Sequence, residues 1–261
     1  MKYFLDTEFL EGVQKSLFGK TKPTIDLISV GICSEDNREY YAISKDFNLK
    51  EAWNRYDWKQ KKVNDGIPGA YKEYWIRENV LRPIYKELHD KENLHARQAL
   101  HRANVYIEET DFNFTYRNLK NLIRKYGKTN NQIAEEIKYF VANRPINIKK
   151  EQWILDYDTK DVKFYGYYCD YDWVVFCWLF GRMIDLPKGF PMYCIDLKQT
   201  LDELQELENS SYEHELHCND ITASPLKVLK ELPNYPKQTN EHNALADAKW
   251  NFKLYKFLQT I

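Results

Sequence analysis

The sequence predicts an α/β protein in which strands come first and helices alternate with buried strands later. Short runs rich in Tyr, Ile and Val, bounded by turn residues, occupy residues 2–9, 24–33 and 39–44, which is typical of strands. Apolar residues at helical spacing occupy residues 130–143 and 243–259. An aromatic content of 15% and an apolar content of 43% over 261 residues exclude a disordered chain. We expect one domain spanning residues 1–261.

The first part of the chain predicts three antiparallel strands in a row. They are "KYFLDTEF", "TIDLISVGIC" and "EYYAIS", and "SEDNRE" forms a polar turn between the last two. A loop is expected over residues 10–23, because Gly12, Gly19 and Pro23 interrupt the pattern there.

The segment 54–128 differs from the rest of the chain in charge and aromatic content. It holds 16 Lys and Arg against 10 Asp and Glu, although the whole chain has a formal charge of −1. Such a local excess indicates an anionic partner near this segment. Most of the segment is predicted to be helical, with "NDGIPG" as its clearest break.

The last part of the chain alternates strand and helix patterns. "VKFYGYY" at 162–168 predicts a buried strand, and "DWVVFCWLFGRM" at 172–183 predicts a helix that is apolar on nearly every side. The closing segment 243–259 predicts a strong amphipathic helix.

The cysteines and the apolar runs indicate a soluble, cytoplasmic protein. The chain has an odd number of cysteines without C-x-x-C spacing, which predicts reduced thiols buried in apolar runs: Cys33, Cys169, Cys177, Cys194 and Cys218. The longest apolar run, at 173–180, is far shorter than a membrane span, and no signal segment is recognisable. We therefore expect no membrane partner.

Two carboxylates share one face of the first predicted strand. Asp6 and Glu8 are two residues apart, so their side chains point the same way from backbone positions about 7 Å apart. Like charges at this spacing raise each other's pKa unless a cation lies between them. The alternative is a strand end at which both acids are simply hydrated.

A third carboxylate, Asp247, lies on or beside the apolar stripe of the last predicted helix. No Lys or Arg stands three or four residues away in either direction. A buried, uncompensated carboxylate costs several kcal/mol, so a group outside the helix is expected to compensate it. The alternative is an acid near the helix start that the helix dipole favours.

A fourth carboxylate, Asp172, opens the predicted helix 172–183 and begins a stripe that faces inward. Asp170 stands just before it, and either residue could be a plain helix cap. His242 precedes Asp247 by five residues and, beside a carboxylate cluster, is a candidate general base near neutral pH.

These residues together form a recognisable pattern: D-x-E on the first strand, an aspartate opening a middle helix, and H-x-x-x-x-D at the last helix. The pattern resembles the histidine branch (DEDDh) of the DEDD exonuclease superfamily, since Asn243 stands where the tyrosine branch carries its tyrosine. The segments "YFLDTEFLEG", "TIDLISVGICSEDNREYYAIS", "YDWVVFCWLFGRMIDLP" and "HNALADAKWN" are similar to the bacterial polyadenylate-specific exoribonuclease family, RNase AS. The resemblance covers about residues 1–50 and 160–260.

The resemblance implies an RNase H-like mixed sheet of three antiparallel strands plus parallel strands, flanked by helices. It implies that two divalent ions, Mg²⁺ or Mn²⁺, are held by Asp6, Glu8, Asp172 and Asp247, which are oxygen ligands that these ions prefer. His242 would be the base, and the catalytic set is His242 with Glu8.

The function that the resemblance implies is a 3′–5′ exoribonuclease that releases nucleoside 5′-monophosphates from an RNA 3′ end. The backbone at Thr7 and Phe9 would lie against the terminal nucleotide, and the compact relatives imply a homodimer. A DNA 3′–5′ exonuclease and a non-catalytic nucleic-acid-binding module remain open as alternatives.

The basic, aromatic segment 54–128 is the departure from the compact relatives and reads as an insertion in the exonuclease domain. Its aromatic residues either form the core of the inserted helices or guide a nucleic-acid strand, and the first interpretation is favoured because large aromatic residues are more often buried. The residues concerned are Trp53, Tyr56, Trp58, Tyr71, Tyr74 and Trp75.

Overall fold

In a computed structural model, the chain divides into two compact units. The structure describes residues 1–15, 21–61, 69–101, 112–142, 162–217 and 227–261. The first unit contains residues 1–7, 30–41 and 134–261, and the second contains residues 8–29 and 42–133. The expectation of one domain with an insertion stays a prediction.

The described strands form one five-stranded sheet and one separate hairpin. The strands are β1 (Lys2–Lys15), β2 (Thr21–Ser34), β3 (Glu39–Ile43), β4 (Asp57–Lys61), β5 (Gly69–Glu73), β6 (Lys163–Gly166) and β7 (Ile195–Asp196). The larger sheet has the order β3-β2-β1-β6-β7, and the hairpin pairs β4 with β5. The predicted α/β class with a mixed sheet is therefore confirmed.

The described part of the chain also contains seven α-helices. They are α1 (Leu49–Asn54), α2 (Arg82–His101), α3 (Tyr116–Tyr126), α4 (Asn130–Val141), α5 (Asp170–Trp178), α6 (Leu197–His217) and α7 (Ala244–Leu258). A π-helical turn precedes α2 at Arg77–Leu81, and 3₁₀ turns lie at Met183–Asp185 and Leu229–Glu231.

The predicted loop over residues 10–23 is wrong at both ends. Strand β1 continues to Lys15 and β2 already begins at Thr21, so Gly12 and Pro23 lie within strands. Pairing along the two strands outweighs the local preference of these residues for turns. Gly19 lies outside the described residues.

Within the first unit, aromatic rings pack the sheet against helix α7. Phe4 on β1 stacks on Phe252 of α7 at 4.6 Å and on Tyr165 of β6 at 5.4 Å between ring centroids. The amide of Asn251 donates a buried hydrogen bond of 2.9 Å to the carbonyl of Leu5. Because of these contacts, α7 packs on β1, the strand that carries Asp6. β1 runs parallel to β6, and β6 runs parallel to β7.

Gly31 of β2 allows helix α7 to approach the sheet. A Cβ at this position would lie 2.2 Å from the carbonyl oxygen of Ala244, the first residue of α7. No side chain fits at that distance, because the obstacle is backbone rather than a flexible side chain. Because glycine has no Cβ, Gly31 allows the start of α7 to lie this close to β2.

The middle helix differs from its prediction at both ends. α5 begins at Asp170 rather than Asp172 and ends at Trp178 rather than residue 183. The stripe that was predicted to begin at Asp172 and face inward is buried at Val175, Phe176 and Leu179.

The second unit contains the far ends of β1 and β2, helices α1 to α3 and the β4–β5 hairpin. The helices match the predicted helical character of segment 54–128, but the hairpin was not predicted. Trp58 lies opposite Lys72, and Asp57 lies opposite Glu73. The centre of the predicted break, residues 64–68, lies outside the described residues.

The described cysteines are free thiols: Cys33, Cys169 and Cys177 are buried, and Cys194 is half-buried. Cys218 lies outside the described residues. Within the described ranges, every helix is either too short or too polar to pass through a lipid bilayer.

Candidate metal centre

Strand β1 places Asp6 and Glu8 on one face. Alternation along the strand buries Leu5 and Thr7 on the opposite side, while the two carboxylates are half-buried. Glu8 follows Asp6 by two residues on the same strand, so their spacing follows from strand geometry alone. The predicted shared face is present.

Helix α7 places Asp247 in its first turn with the carboxylate buried. Asn243 caps the helix, since its side chain accepts a hydrogen bond of 3.0 Å from the backbone of Ala246. The carboxylate of Asp247 accepts hydrogen bonds from the Gln238 amide at 2.6 Å and from the backbone N–H of His242 at 2.9 Å. Burial raises the pKa of Asp247, and these two bonds oppose that rise.

These elements bring three carboxylates together. One oxygen from each of Asp6, Glu8 and Asp247 lies within 4.8 Å of the others. Both groups that bond to Asp247 are neutral amides, so they satisfy its oxygens without neutralising the combined negative charge. A divalent cation fits this donor set, because hard cations prefer carboxylate oxygens and would remove the repulsion.

Asp172 lies deep in the first unit and is held by Thr7. The Thr7 backbone N–H and hydroxyl both donate to Oδ1 of Asp172, at 2.7 and 2.6 Å. Burial raises the pKa of Asp172 to about 6, against the effect of these bonds. Among the described residues, the converging group consists of Asp6, Glu8 and Asp247 and does not include Asp172.

The structure distinguishes Asp172 from its neighbour Asp170. Asp170 is exposed in the first turn of α5, whereas Asp172 is 7% exposed. Cys169 is the N-cap residue of the helix, so Asp172 is not a capping residue. Of the two aspartates, Asp172 is therefore the buried one that bonds to β1, and its role as a metal ligand stays a prediction.

His242 lies beside Asp247 in an unusual backbone conformation. Its φ is 64°, in the left-handed region, which histidine adopts more readily than most residues other than glycine, Asn and Asp. This conformation accompanies the 2.9 Å bond from its N–H to Asp247. His242 therefore contributes to the site through its backbone, and the residue is half-buried.

The supporting roles of three residues were missed from the sequence. Gln238 bonds Asp247 from a polar loop without periodicity, and Gly31 acts through the absence of a side chain. Thr7 was expected to meet the substrate through its backbone, and the structure shows its N–H bonded to Asp172. Only alternation along β1, which turns Thr7 away from Asp6, could have signalled the last of these.

Phe9 lies on the wall of a cavity of about 450 Å³ in the second unit. The residues around this cavity are Glu8, Phe9, Glu11, Arg55, Asp57, Glu73, Trp75 and Ile76. Three apolar side chains and Glu8 of the carboxylate site therefore share one space. The role of Phe9 as a contact for the terminal base stays a prediction.

Known proteins show a partial similarity to this chain. A stretch of 82 residues, 31% of the chain, is 35% identical to 3′–5′ exoribonucleases from two strains of Mycobacterium tuberculosis, CDC 1551 and H37Rv. The chain spans 42% of the length of each, less than half of the curated relatives it matches. No protein-family model matches the chain. The similarity supports a relation to 3′–5′ exonucleases, and the histidine branch of the DEDD superfamily stays a prediction.

Proposed function

We propose that the protein is a metal-dependent 3′–5′ exoribonuclease. The observation that carries this proposal is the convergence of Asp6, Glu8 and Asp247 within 4.8 Å. Carboxylates gathered in this way suit the hydrolysis of a phosphodiester, whose negative charge requires compensation by cations. The similarity to the mycobacterial 3′–5′ exoribonucleases supports RNA as the substrate and the 3′ end as the starting point.

Four carboxylates would hold two divalent ions, Mg²⁺ or Mn²⁺: Asp6, Glu8 and Asp247 of the converging group, together with Asp172, which is bonded to Thr7 of β1. When bound, such ions supply charge stabilisation for an in-line displacement at phosphorus. Gln238 and the His242 backbone hold Asp247 in its orientation. Thr7 does the same for Asp172.

In the proposed reaction, the remaining residues have separate roles. His242 takes a proton from the water that attacks the terminal phosphodiester, because a neutral imidazole accepts protons near pH 7. The bond to the 3′ oxygen of the preceding nucleotide breaks, and a nucleoside 5′-monophosphate leaves. Phe9 offers an apolar surface to the terminal base from the wall of its cavity.

The test is a comparison of substrates. Purified protein with Mn²⁺ is incubated with RNA and with DNA of the same sequence, each labelled internally, and products are separated by thin-layer chromatography. The expected result is release of nucleoside 5′-monophosphates from RNA, none with EDTA, and less from DNA. Preference for DNA would replace the proposal with a DNA exonuclease. No release from either polymer would leave a non-catalytic binding module.

Blocking the RNA end provides the control for direction. A 3′-phosphate on the RNA should prevent release, whereas a 5′-phosphate should not. Release from an RNA whose 3′ end is blocked would contradict the assigned direction.

A further inference from the structure

The β4–β5 hairpin exposes aromatic side chains that were expected to be core. Trp58 is 63% exposed and Tyr56 is 39% exposed, so the expectation that most of these aromatics are buried is wrong. The hairpin is a sheet of two strands, paired from Asp57–Glu73 to Lys61–Gly69. A pair of strands alone has no second layer to cover large rings. Exposed aromatic rings on this hairpin indicate an interaction surface.

Alternation along the two strands sorts the side chains onto two faces. One face carries Tyr56, Trp58, Lys72 and Tyr74, which we call the aromatic face. Tyr56 contacts Trp58 edge-on at 5.8 Å and lies 5.7 Å from Tyr74. The rings therefore form a continuous row across the hairpin.

A cation lies within this row. The Lys72 ammonium is 4.1 Å from the centre of the Tyr56 ring and 5.5 Å from the centre of the Trp58 ring. Arg77 covers Tyr74 at 3.8 Å but also pairs with Glu78 at 3.0 Å. Lys72 is therefore the cation of this face that best suits an anionic group.

Acidic residues of the hairpin belong to the opposite face. Asp57 and Glu73 both line the cavity that contains Glu8 and Phe9, and Lys59 pairs with Glu73 at 3.6 Å. The hairpin thus presents aromatic rings with a positive charge on one side and carboxylates on the other. A partner of the aromatic face combines flat apolar surfaces with negative charge.

We propose that the aromatic face binds single-stranded RNA, with bases stacked on Trp58 and Tyr56 and a phosphate against Lys72. Stacking on aromatic side chains beside cations is how proteins hold single strands without reading their sequence. A second copy of this chain fits less well, because a symmetric contact would bring the two Lys72 side chains together.

The hairpin also borders the proposed reaction site. Its opposite face shares the cavity with Glu8 and Phe9, so RNA whose 3′ end lies at Glu8 would have the hairpin beside it. This placement rests on the proposed function, whereas the binding of RNA does not. The experiment therefore measures binding without cleavage.

The test is fluorescence anisotropy of a long, labelled single-stranded RNA with EDTA present, which prevents metal-dependent cleavage. Trp58→Ala should weaken binding by about 5- to 150-fold, which corresponds to the loss of one stacked base. Trp58→Phe should restore most of it. Lys72→Gln should reduce the dependence of binding on salt by about one phosphate contact.

Tyr71→Ala is the matched control, because Tyr71 is an aromatic residue 47% exposed on the opposite face of the same hairpin. Its binding should equal that of the wild type. Equal weakening by Tyr71→Ala and Trp58→Ala, or no weakening by Trp58→Ala, would overturn the inference. So would conversion of a dimer to monomers by Trp58→Ala in sedimentation. RNA binding that depends on Trp58 in a protein without nuclease activity would refute only the proposed function.

Discussion

The carboxylate site and the β4–β5 hairpin differ in the residues that they bring together. At the carboxylate site, charges of one sign converge within 4.8 Å, and Asp247 is buried. At the hairpin, the apolar rings remain exposed, and Lys72 lies against them. Both arrangements are unfavourable in the folded protein: like charges lie close together in the first region, and apolar rings remain exposed in the second.

The difference between the regions indicates what each one lacks. Gathered carboxylates repel each other, and a cation removes that cost. Exposure of apolar rings to water is unfavourable in free energy, and stacking on a flat ligand removes that cost. We therefore expect a metal ion to stabilise the first region and a stacked partner to cover the second. Four variants, taken from the largest expected effect to the smallest, test this contrast.

The largest effect is expected from Asp247→Asn. Asparagine can still accept the bonds from Gln238 and His242, so the fold should survive while the negative charge is lost. Release of mononucleotides should fall by about a thousandfold or more. Mn²⁺ should raise the melting temperature of the wild type but not that of the variant. Glu241→Gln, at an exposed neighbour, is the control, and cleavage by Asp247→Asn within tenfold of wild type would contradict the site.

The next effect is expected from His242→Asn. Asparagine adopts a positive φ readily and keeps the backbone N–H that bonds Asp247, so this variant removes the ring alone. Turnover should fall by about 10²- to 10⁴-fold, the usual contribution of a general base. The rise in melting temperature with Mn²⁺ should persist. Unchanged turnover would exclude His242 as the base, and loss of the metal response would show that its role is to position Asp247.

Asp172→Asn tests whether the buried charge of Asp172 lowers the free energy of unfolding. The pKa of Asp172 in the folded protein, about 6, lies above its ordinary value of 3.8. The folded state therefore binds the proton more tightly than the unfolded chain between about pH 4 and pH 6, and ionisation above that range destabilises the fold. Relative to wild type, the metal-free variant should gain up to about 3 kcal/mol as pH rises through this window.

Urea unfolding with EDTA, at pH values below and above that window, measures this gain. Asp170→Asn is the control, because Asp170 is exposed on the same helix and should show little change. A difference between Asp172→Asn and wild type that does not vary with pH would mean that Asp172 is not held as a buried acid. Addition of Mn²⁺ should reduce the advantage of the variant.

The smallest effect is expected for the stability of Trp58→Ala. Its exposed ring and its distant contact with Lys72 contribute less than about 1 kcal/mol to the free energy of unfolding. Phe252→Ala, which removes a buried ring stacked on Phe4, should cost about 3 to 5 kcal/mol in the same urea experiment. A large loss of stability in Trp58→Ala would mean that the hairpin face is structural.

The sequence predicted those features that depend on local periodicity. Alternation placed Asp6 and Glu8 on one face, and helical spacing predicted α4 and α7, including the buried position of Asp247. These features follow from short stretches of chain, because a face is defined by residues two to four positions apart.

The features that sequence reasoning missed depend on residues far apart in the chain. The β4–β5 hairpin exists through pairs such as Trp58 with Lys72, and neither strand shows a clear apolar alternation. The bond between Gln238 and Asp247 spans only 9 positions, but it joins an irregular loop to a helix. Neither kind of partner leaves a periodic trace in a single sequence.

Gly31 has a consequence for any survey of random substitutions in this protein. Every side chain at that position meets the backbone of Ala244, so all nineteen replacements should disturb the docking of α7 and, with it, the place of Asp247. A screen that scores only the proposed nuclease activity would rank Gly31 with the residues of the carboxylate site. A second measurement of the abundance of folded protein would separate residues with a chemical role from Gly31, whose role is to let α7 pack against β2.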